Sequence, residues 1–329
     1  MSSIALGIDV SKATLNVCLM RTKRQHCDKV FANTPDGHRQ LAQWLSKQAV
    51  ADVHICLEAT GQYGYRVAFY LVEHAYAVSI VNPTRIKGFA LSLMKRSKSD
   101  RIDAQVIAQF CLALEPELWK PPAQAQQQLQ ELMRRLSAVE SILHQEKNRQ
   151  EWTTHPSVSE SINTHIQQLE QDIERLNQAI AKHFDVHSSL REQQALLVSI
   201  PGIAEKTAAH LLAELGDLSR FSHARQLAAY CGLTPREKQS GTSVRKRPCL
   251  SKVGNARLRK ALFMPAVCAT CYNPELKAFY ERLIERGKSK MAAVGAVMRK
   301  LLHIVYGVLK HRHPFELNYQ QKSAGPVMN

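Results

Sequence analysis

Hydrophobic residues in the first 115 positions alternate between strand-like and helix-like spacing. Short apolar or alternating runs predict strands, whereas apolar residues three and four apart predict helices. The predicted strands cover 4–10, 14–20, 26–31, 53–57 and 77–81. The predicted helices cover 36–48, 63–74, 84–94 and 100–114. Three strands followed by βαβ-like units indicate an α/β layer fold with a mixed sheet.

The pattern becomes helical after Pro121-Pro122, with long helices predicted near 124–150 and beyond a break at 153–156. Apolar residues in the second helix recur at alternating gaps of 4 and 3, which is an a/d heptad seam. They are Ile162, Ile166, Leu169, Ile173, Leu176 and Ile180. The seam predicts an antiparallel helical hairpin or an intermolecular coiled coil, and a plain surface-packed hairpin fits it equally well.

From about residue 195 the pattern changes again. Helical stretches flank a turn at Pro201-Gly202, which predicts a helix-hairpin-helix whose exposed N–H groups suit a phosphate. A polar loop around Ser240 and a basic helix beginning near residue 256 follow. We therefore predict three domains: 1–120, a coiled-coil hairpin at 121–190, and a mostly α-helical domain at 191–329.

Charge is distributed unevenly along these domains. The 329 residues include 44 Lys+Arg and 28 Asp+Glu, a formal net charge of +16. Residues 1–150 carry +6, residues 151–200 carry −4, and residues 201–329 carry +14. A balance this basic makes nucleic acid the first partner to consider, mainly in the last third. The predicted contacts are Pro201, Gly202, Lys206, Arg236, Arg245, Lys246, Arg247, Lys252, Arg257, Arg259 and Lys260.

The sequence indicates neither a membrane-spanning segment nor a framework of disulfides. The first residues lack the pattern of a signal peptide, so we expect a cytoplasmic protein. Arg299 and Lys300 interrupt the apolar stretch 291–309, which predicts a core helix rather than a span. Cys268 and Cys271 form one CxxC pair in a helix-like setting. We interpret the pair as part of a packed helix, the alternative being half a zinc site or a redox motif.

Four acidic residues occupy positions where they can meet. Asp9 and Glu58 end predicted strands, and Asp100 and Asp103 share a face at the start of a predicted helix. Carboxylates gathered at one sheet edge would repel unless divalent cations bound between them. All-oxygen ligands favour Mg²⁺ or Mn²⁺, and two such ions can clamp the attacking and leaving oxygens of a phosphodiester. Taken singly, Asp100 is an ordinary helix cap and Asp9 an ordinary turn residue.

Several short motifs carry a resemblance to a known family. They are Gly7-Ile8-Asp9, Glu58-Ala-Thr-Gly61, Asn82-Pro83, Lys98-Ser-Asp-Arg-Ile-Asp103, Ile200-Pro-Gly-Ile203, Gly232-Leu-Thr-Pro235, Ser240-Gly241 and Ser251-Lys252. In order and spacing the chain resembles the DEDD transposases of bacterial insertion sequences in the family numbered one hundred and ten. Those enzymes are recombinases guided by a bridge RNA. The resemblance covers nearly the whole chain.

The resemblance implies an RNase H-like (RuvC-like) N-terminal domain followed by the hairpin and a transposase domain. It implies that Asp9, Glu58, Asp100 and Asp103 bind the metal and that Ser240 is the nucleophile. The serine would form a covalent 5′-phosphoserine link, which conserves phosphodiester energy. The implied partners are donor and target DNA, a bridge RNA and further copies of the chain, in a dimer or tetramer.

Three hypotheses of function follow. The first is an RNA-guided DNA recombinase that uses the four acids and Ser240. The second is a RuvC-type, metal-dependent junction nuclease whose C-terminal domain only binds. The third is a non-catalytic nucleic-acid-binding scaffold. The four acids argue against the scaffold, and the Ser240 segment argues against the nuclease. Without the resemblance, however, a serine in such a segment is an ordinary turn residue.

Overall fold

The first part of the chain is built on one mixed sheet. In this computed structural model, the described residues are 4–22, 25–48, 52–59, 61–94, 99–240 and 244–316, without the side chains at 62, 237–240 and 244–248. The strands are β1 (Ile4–Val10), β2 (Thr14–Met20), β3 (His26–Ala32), β4 (Val53–Glu58) and β5 (Ala77–Val81). Their order is β3-β2-β1-β4-β5, and only β1-β4 and β4-β5 pair in parallel. The predicted mixed α/β class is therefore confirmed.

Helices cover both faces of this sheet. They are α1 (Pro35–Lys47), α2 (Gln62–Glu73), α3 (Pro83–Ser92) and α4 (Asp100–Leu114). Three of them begin at side-chain caps: Thr34 accepts from Gly37 N–H, Asn82 from Thr84 N–H, and Ser99 from Ile102 N–H. Such caps satisfy N–H groups that have no partner within the helix. They explain why these helices start within two residues of their predicted positions.

Gly7 allows α4 to pack directly on β1. A Cβ atom at this position would lie 2.2 Å from the Ala104 carbonyl oxygen and 2.3 Å from the Ala108 nitrogen. Ala104 and Ala108 are fully buried with Cys18 and Met20 of β2. Small residues on both sides thus bring the helix backbone against the strand, and this close approach sets the position of the first turn of α4.

Gly7→Ala should destabilise the protein by about 3 kcal/mol, because the added methyl group meets backbone atoms that cannot rotate away. The change is measured as a lower urea midpoint of unfolding. Gly88→Ala on α3 is the matched control, since an added Cβ there has no described atom within 4 Å. We expect the control to unfold at the wild-type midpoint or slightly above it. Equal midpoints for the wild type and Gly7→Ala would contradict the close packing.

The chain divides into two compact units, residues 1–121 and 122–329. The second unit is mainly helical. Its long helices are α5 (Gln124–Trp152), α6 (Pro156–Val186), α7 (Ser188–Val198), α8 (Glu205–Leu215), α9 (Ala224–Tyr230), α10 (Ala256–Tyr272), α11 (Pro274–Glu285) and α12 (Lys290–His311). A 3-10 turn at Leu218–Arg220 and two strands, β6 (Pro235–Ser240) and β7 (Val244–Leu250), complete it.

The two longest helices, α5 and α6, form an antiparallel hairpin. Gln150 near the end of α5 bonds Asn163 near the start of α6, and His183 near the end of α6 bonds the Ala125 carbonyl. Apolar residues from the predicted stripes are buried between the helices, among them Val139, Ile162 and Ile166. The base of α5 also contributes to the main core of this unit. The two helices therefore pack together as a hairpin within one chain. An intermolecular coiled coil stays a prediction.

Helix α12 lies at the centre of the second core. Val297, Leu301, Leu302 and Val305 are fully buried, and the helix packs against α7, α9, α10 and α11. Among the described residues, it is the one helix that is long and apolar enough to cross a membrane. In its apolar stretch, however, 61% of the residues are buried inside the protein. Its place in the core agrees with the predicted core helix.

The loop expected around Ser240 is wrong for Pro235–Ser240 and Val244–Leu250, which are strands. Ser240 ends β6, which pairs antiparallel with β7 from Pro235↔Leu250 to Ser240↔Val244. These two strands carry few apolar residues, so neither shows the alternation that identifies a strand from sequence. The ribbon follows from backbone pairing, which a single segment does not reveal. Residues 241–243, which include Ser243, lie outside the described residues.

Candidate active site and nucleic-acid surface

The ends of β1 and β4 place two of the predicted acids side by side. The parallel pairing of these strands runs from Ile4↔Val53 to Ile8↔Leu57, and Asp9 and Glu58 are the next residue of each strand. Both acids are half-buried. Parallel strands in register bring their carboxyl ends to the same edge of the sheet, so the two carboxylates belong to one site.

Both acids also project toward the face that α4 covers. Gly7 contacts the α4 backbone, and Cys56 shares a buried cluster with Ile107 and Phe110 of α4. Side chains two residues apart in a strand lie on the same face. Asp9 and Glu58 follow Gly7 and Cys56 at that spacing, and so they lie on the α4 side of the sheet.

Helix α4 brings the remaining acids to this edge. Its later part lies beside the start of β4, where the Cys111 thiol donates to the His54 carbonyl oxygen at 3.5 Å. Ala104 lies beside Gly7, so the helix runs opposite to β1 and β4 and its first turn is directed toward their carboxyl ends. Asp100, exposed, and Asp103, half-buried, are in that first turn. All four predicted acids therefore border one edge on one face.

The donor chemistry of this edge suits a hard divalent ion, since all four candidate ligands are carboxylates. Within the described ranges, no three His, Cys, Asp or Glu residues are close enough to hold a metal ion. Carboxylates brought to one edge would repel one another, and bound divalent cations would offset that repulsion.

Asn33 ties together the segments that follow the two strand-end acids. Its side-chain amide donates to the Ser11 carbonyl at 2.9 Å and to the Tyr63 carbonyl at 3.3 Å, and its oxygen bonds the His38 ring at 2.9 Å. Ser11 comes two residues after Asp9, and Tyr63 five after Glu58. Sequence reasoning missed this residue because Asn before a helix looks like a simple turn signal.

The predicted nucleic-acid residues of the second unit differ in their surroundings. Arg236, Lys252, Arg257 and Lys260 are exposed. Arg259 donates to the Cys231 carbonyl at 3.0 Å, and Lys206 pairs with Glu140 of α5. The predictions for Arg245, Lys246, Arg247 and Ser240 concern side chains outside the described ones.

The Pro201-Gly202 turn joins α7 to α8 and packs inward. Gly202 has a φ of +101°, and a Cβ there would lie 3.0 Å from the Pro265 carbonyl of α10 and 3.1 Å from Ala269. The glycine thus satisfies both a left-handed backbone and a close contact between helices. Pro201 and Gly202 remain half-exposed, and their contact with phosphate stays a prediction.

Glu214 connects the base of the hairpin to the start of α10, and sequence reasoning missed it. Its buried carboxylate accepts from Arg134 Nε at 3.2 Å and from Asn255 Nδ2 at 3.0 Å, and Arg257 approaches to 3.9 Å. Asn255 also caps α10, accepting from the N–H groups of Arg257 and Leu258. The signal available was the position of Glu214 within the apolar end of α8, between Ala213 and Leu215. The hydrogen bond from Asn255 to Glu214 thus attaches the start of α10 to α8, and α10 carries Arg257, Arg259 and Lys260.

The two cysteines of the CxxC pair lie on α10, with Cys268 half-buried and Cys271 exposed. This agrees with the helical interpretation. Among the described residues no group of metal-ligating side chains surrounds them. Cys18, Cys56, Cys111 and Cys231 are buried, and none of them is in a disulfide.

Comparison with known proteins identifies the family. Residues 6–151 match the model of the DEDD transposases of IS110, and residues 194–281 match that of the IS116/IS110/IS902 transposase family. The pilin gene-inverting protein of Moraxella bovis is 35% identical over 320 residues, covering 96% of this chain and 98% of the relative. The Moraxella lacunata protein of that name matches to the same extent. The IS1111A transposase of Coxiella burnetii is 32% identical over 123 residues, covering 36% of this chain and 33% of that protein.

The first family model spans the sheet, α4 and all four acids, and the second spans α8, β6, β7 and α10. The Moraxella proteins match this chain along nearly its whole length, so both regions occur together in those relatives as well. This chain belongs to the IS110 family and is a DEDD-type DNA transposase of an insertion sequence.

Proposed function

We propose that this transposase is a site-specific recombinase in which Asp9, Glu58, Asp100 and Asp103 bind Mg²⁺ or Mn²⁺ at the edge of the sheet. The observation that carries the proposal is the convergence of two strand ends and one helix start on a single edge and face. Bound metal would supply Lewis-acid stabilisation of charge on the phosphodiester. The four side chains would hold it in place and exclude softer metals by their oxygen-only chemistry.

In this proposal Ser240 is the nucleophile. Its hydroxyl loses a proton, Oγ forms a bond to the scissile phosphorus, and the bond to the 3′ oxygen breaks and leaves a 3′-hydroxyl. The product is a 5′-phosphoserine ester, which keeps the energy of the phosphodiester for rejoining. A serine hydroxyl is a weak nucleophile and needs activation. A metal ion held by the four acids, in the same or another copy of the chain, would supply that activation.

The end of the β6–β7 ribbon gives this serine a basic setting. Six of the thirteen residues in the two strands are Arg, Lys or Glu, and five of these six are cationic. Lys238 pairs in register with Lys246, and Gln239 with Arg245. Cations concentrated on one ribbon favour a polyanion and stabilise charge that develops at a phosphate. This supports donor and target DNA as the ligands of the ribbon and of α10.

The division into domains 1–120, 121–190 and 191–329 and the helix-hairpin-helix are proposed from the sequence pattern, and assembly into a dimer or tetramer from the heptad seam and the need for strand exchange. Guidance by a bridge RNA is proposed from the family resemblance alone. Base pairing would then supply most of the sequence specificity, as in other guided systems. A low aromatic content of 6% fits a protein that reads few bases by stacking.

A covalent-capture assay tests the central step. Full-length protein is mixed with Mg²⁺, guide RNA and nicked suicide DNA, then denatured in SDS. We expect a protein–DNA adduct that requires Mg²⁺ and is lost with EDTA. Cleavage that leaves only free ends would overturn the serine mechanism in favour of the RuvC-type nuclease. Binding without any cleavage would favour the scaffold.

Removing exposed cations of the second unit should reduce the salt dependence of DNA binding. In the triple variant Arg236→Ala, Lys252→Ala, Lys260→Ala, we expect the slope of log K against log salt to fall by up to about 3, since each phosphate contact contributes about 0.9. Fluorescence anisotropy over a salt series measures this. The matched control removes Lys147, Arg175 and Arg191, each of which pairs with an acidic side chain. Equal slopes in the two triple variants would place the footprint elsewhere.

A further inference from the structure

A fifth carboxylate, Asp28, holds the helix that carries two of the four acids. It lies on β3, the edge strand of the sheet, in register with Cys18 of β2, which is in register with Gly7 of β1. Directly opposite residues of antiparallel strands share a face. The row Gly7, Cys18, Asp28 therefore crosses the sheet beneath α4 and ends in a carboxylate at the edge.

Two side chains of α4 converge on this carboxylate. Arg101 Nε donates to Asp28 Oδ2 at 2.6 Å, and Gln105 Nε2 donates to the same oxygen at 2.9 Å. Residues four apart lie on one face of a helix, so both donors belong to the flank that faces β3. His26 of β3 stands beside Gln105, with 3.3 Å between their nitrogens. Residues of β3 thus contact α4 along one side of the helix.

The carboxylate is held in its charged form. Its side chain is only 14% exposed, although Arg101 is 71% exposed. Burial opposes ionisation of Asp28, but hydrogen bonds from Arg101, Cys18 and Gln105 outweigh it and hold the pKa of this carboxyl below its usual range. A charged acceptor strengthens both bonds.

The contact between Asp28 and Arg101 is made in the first turn of α4, where it has the largest effect on the position of the helix start. The first N–H groups of a helix lack partners within it, so the position of this turn depends on external contacts. Ser99 caps the turn through Ile102 N–H, Gly7 sets its distance from the sheet, and Asp28 holds Arg101 between Asp100 and Asp103. Distance and rotation of the turn are thereby fixed by two different residues of the sheet.

We infer that Asp28 is a positioning residue of the metal site, acting through Arg101 and Gln105 on the placement of Asp100 and Asp103. The inference rests on the proposed function, because it takes these two acids to be metal ligands. In this role Asp28 acts only through its contacts with Arg101 and Gln105. Residues behind a metal site that orient its ligands commonly contribute 10–100-fold to metal affinity.

Metal binding by the full-length protein without nucleic acid tests this role. The thermal unfolding midpoint is measured against Mn²⁺ concentration, and the half-saturation concentration of the folded protein (its Kd) is obtained by fitting the rise, since the added stability follows RT ln(1 + [Mn²⁺]/Kd). We expect Asp28→Ala to raise half-saturation about tenfold. Arg101→Ala and Gln105→Ala each remove one donor and should raise it to a smaller extent, with Asp28→Asn between Asp28→Ala and the wild type. Asp36→Ala, which breaks an exposed Arg–Asp pair on α1, should leave it unchanged.

The outcomes separate this inference from the proposed function. If Asp103→Asn keeps the wild-type Mn²⁺ response, the proposed metal site itself is overturned. If Asp103→Asn loses the response while Asp28→Ala and Arg101→Ala keep wild-type half-saturation, only the positioning role is overturned. A lower midpoint without metal in Asp28→Ala, with unchanged half-saturation, would show a purely structural contact. Should Asp28→Ala fail to fold, Arg101→Ala and Gln105→Ala decide the question.

Discussion

Asp103→Asn is expected to lower the rate of DNA strand cleavage by at least about 10³-fold while leaving DNA affinity unchanged. The substitution keeps the size of the side chain and removes its charge. Metal ions contribute several kcal/mol to stabilising the transition state of phosphoryl transfer, and about 4 kcal/mol corresponds to 10³ in rate. Loss of the charge of one of the four proposed ligands should remove a contribution of that order. Single-turnover cleavage of labelled DNA at saturating Mg²⁺ measures it.

Asp36→Asn provides the matched control. Asp36 also lies in the first turn of a helix of the same unit, and its side chain is 72% exposed beside Arg39. Helix α1 packs on the face of the sheet opposite to α4, where Leu41 and Leu45 are buried against Leu6 and Ile8. The same chemical change on that face should leave cleavage within about twofold of the wild type, as is usual for surface substitutions. If Asp103→Asn cleaves DNA at more than one tenth of the wild-type rate, Asp103 is not a ligand of the proposed metal site.

Ser240→Ala should abolish the covalent protein–DNA adduct altogether. Alanine has no oxygen to bond the phosphorus, so no 5′-phosphoserine ester forms whatever the state of the metal site. DNA binding should persist, because the substitution removes no charge. Denaturing gels of the suicide-substrate reaction report the adduct, and anisotropy reports binding.

Ser243→Ala is the informative comparison, since this serine lies three positions further along the same segment. We expect it to form the adduct at the wild-type level. An adduct that survives in Ser240→Ala and disappears in Ser243→Ala would transfer the nucleophile to Ser243. Free-ended cleavage that continues in Ser240→Ala would indicate that water, rather than serine, attacks the phosphate.

Local patterns predicted most of the first unit. Mainly apolar runs at 4–8 and 53–57 are each followed directly by an acid, Asp9 and Glu58. The sequence therefore indicated both the strands and the carboxylates at their ends. The helix at 100–114 was predicted with the bounds that it has in the structure. These features depend on neighbours within a few positions, which is why periodicity and capping identify them.

Features that depend on pairing across the chain escaped prediction. Asp28 and Arg101 are 73 residues apart, and nothing local marks either as a partner of the other. The β6–β7 ribbon lacks apolar alternation, so its strand character comes from the register of Arg236 with Cys249 and of its neighbours. Glu214 acquires its role only when α8 meets Arg134 of α5 and Asn255.

The central position of α12 has a consequence for synthesis. This helix follows every other helix of the described chain, yet its side chains fill the middle of the second core. Domains fold as units during translation, the N-terminal one first. The sheet that bears Asp9 and Glu58 can therefore fold early, whereas the serine-bearing unit is completed only after residue 311 has left the ribosome. A product terminated before this helix would carry the acids without a folded partner unit, so truncated synthesis should yield no active recombinase.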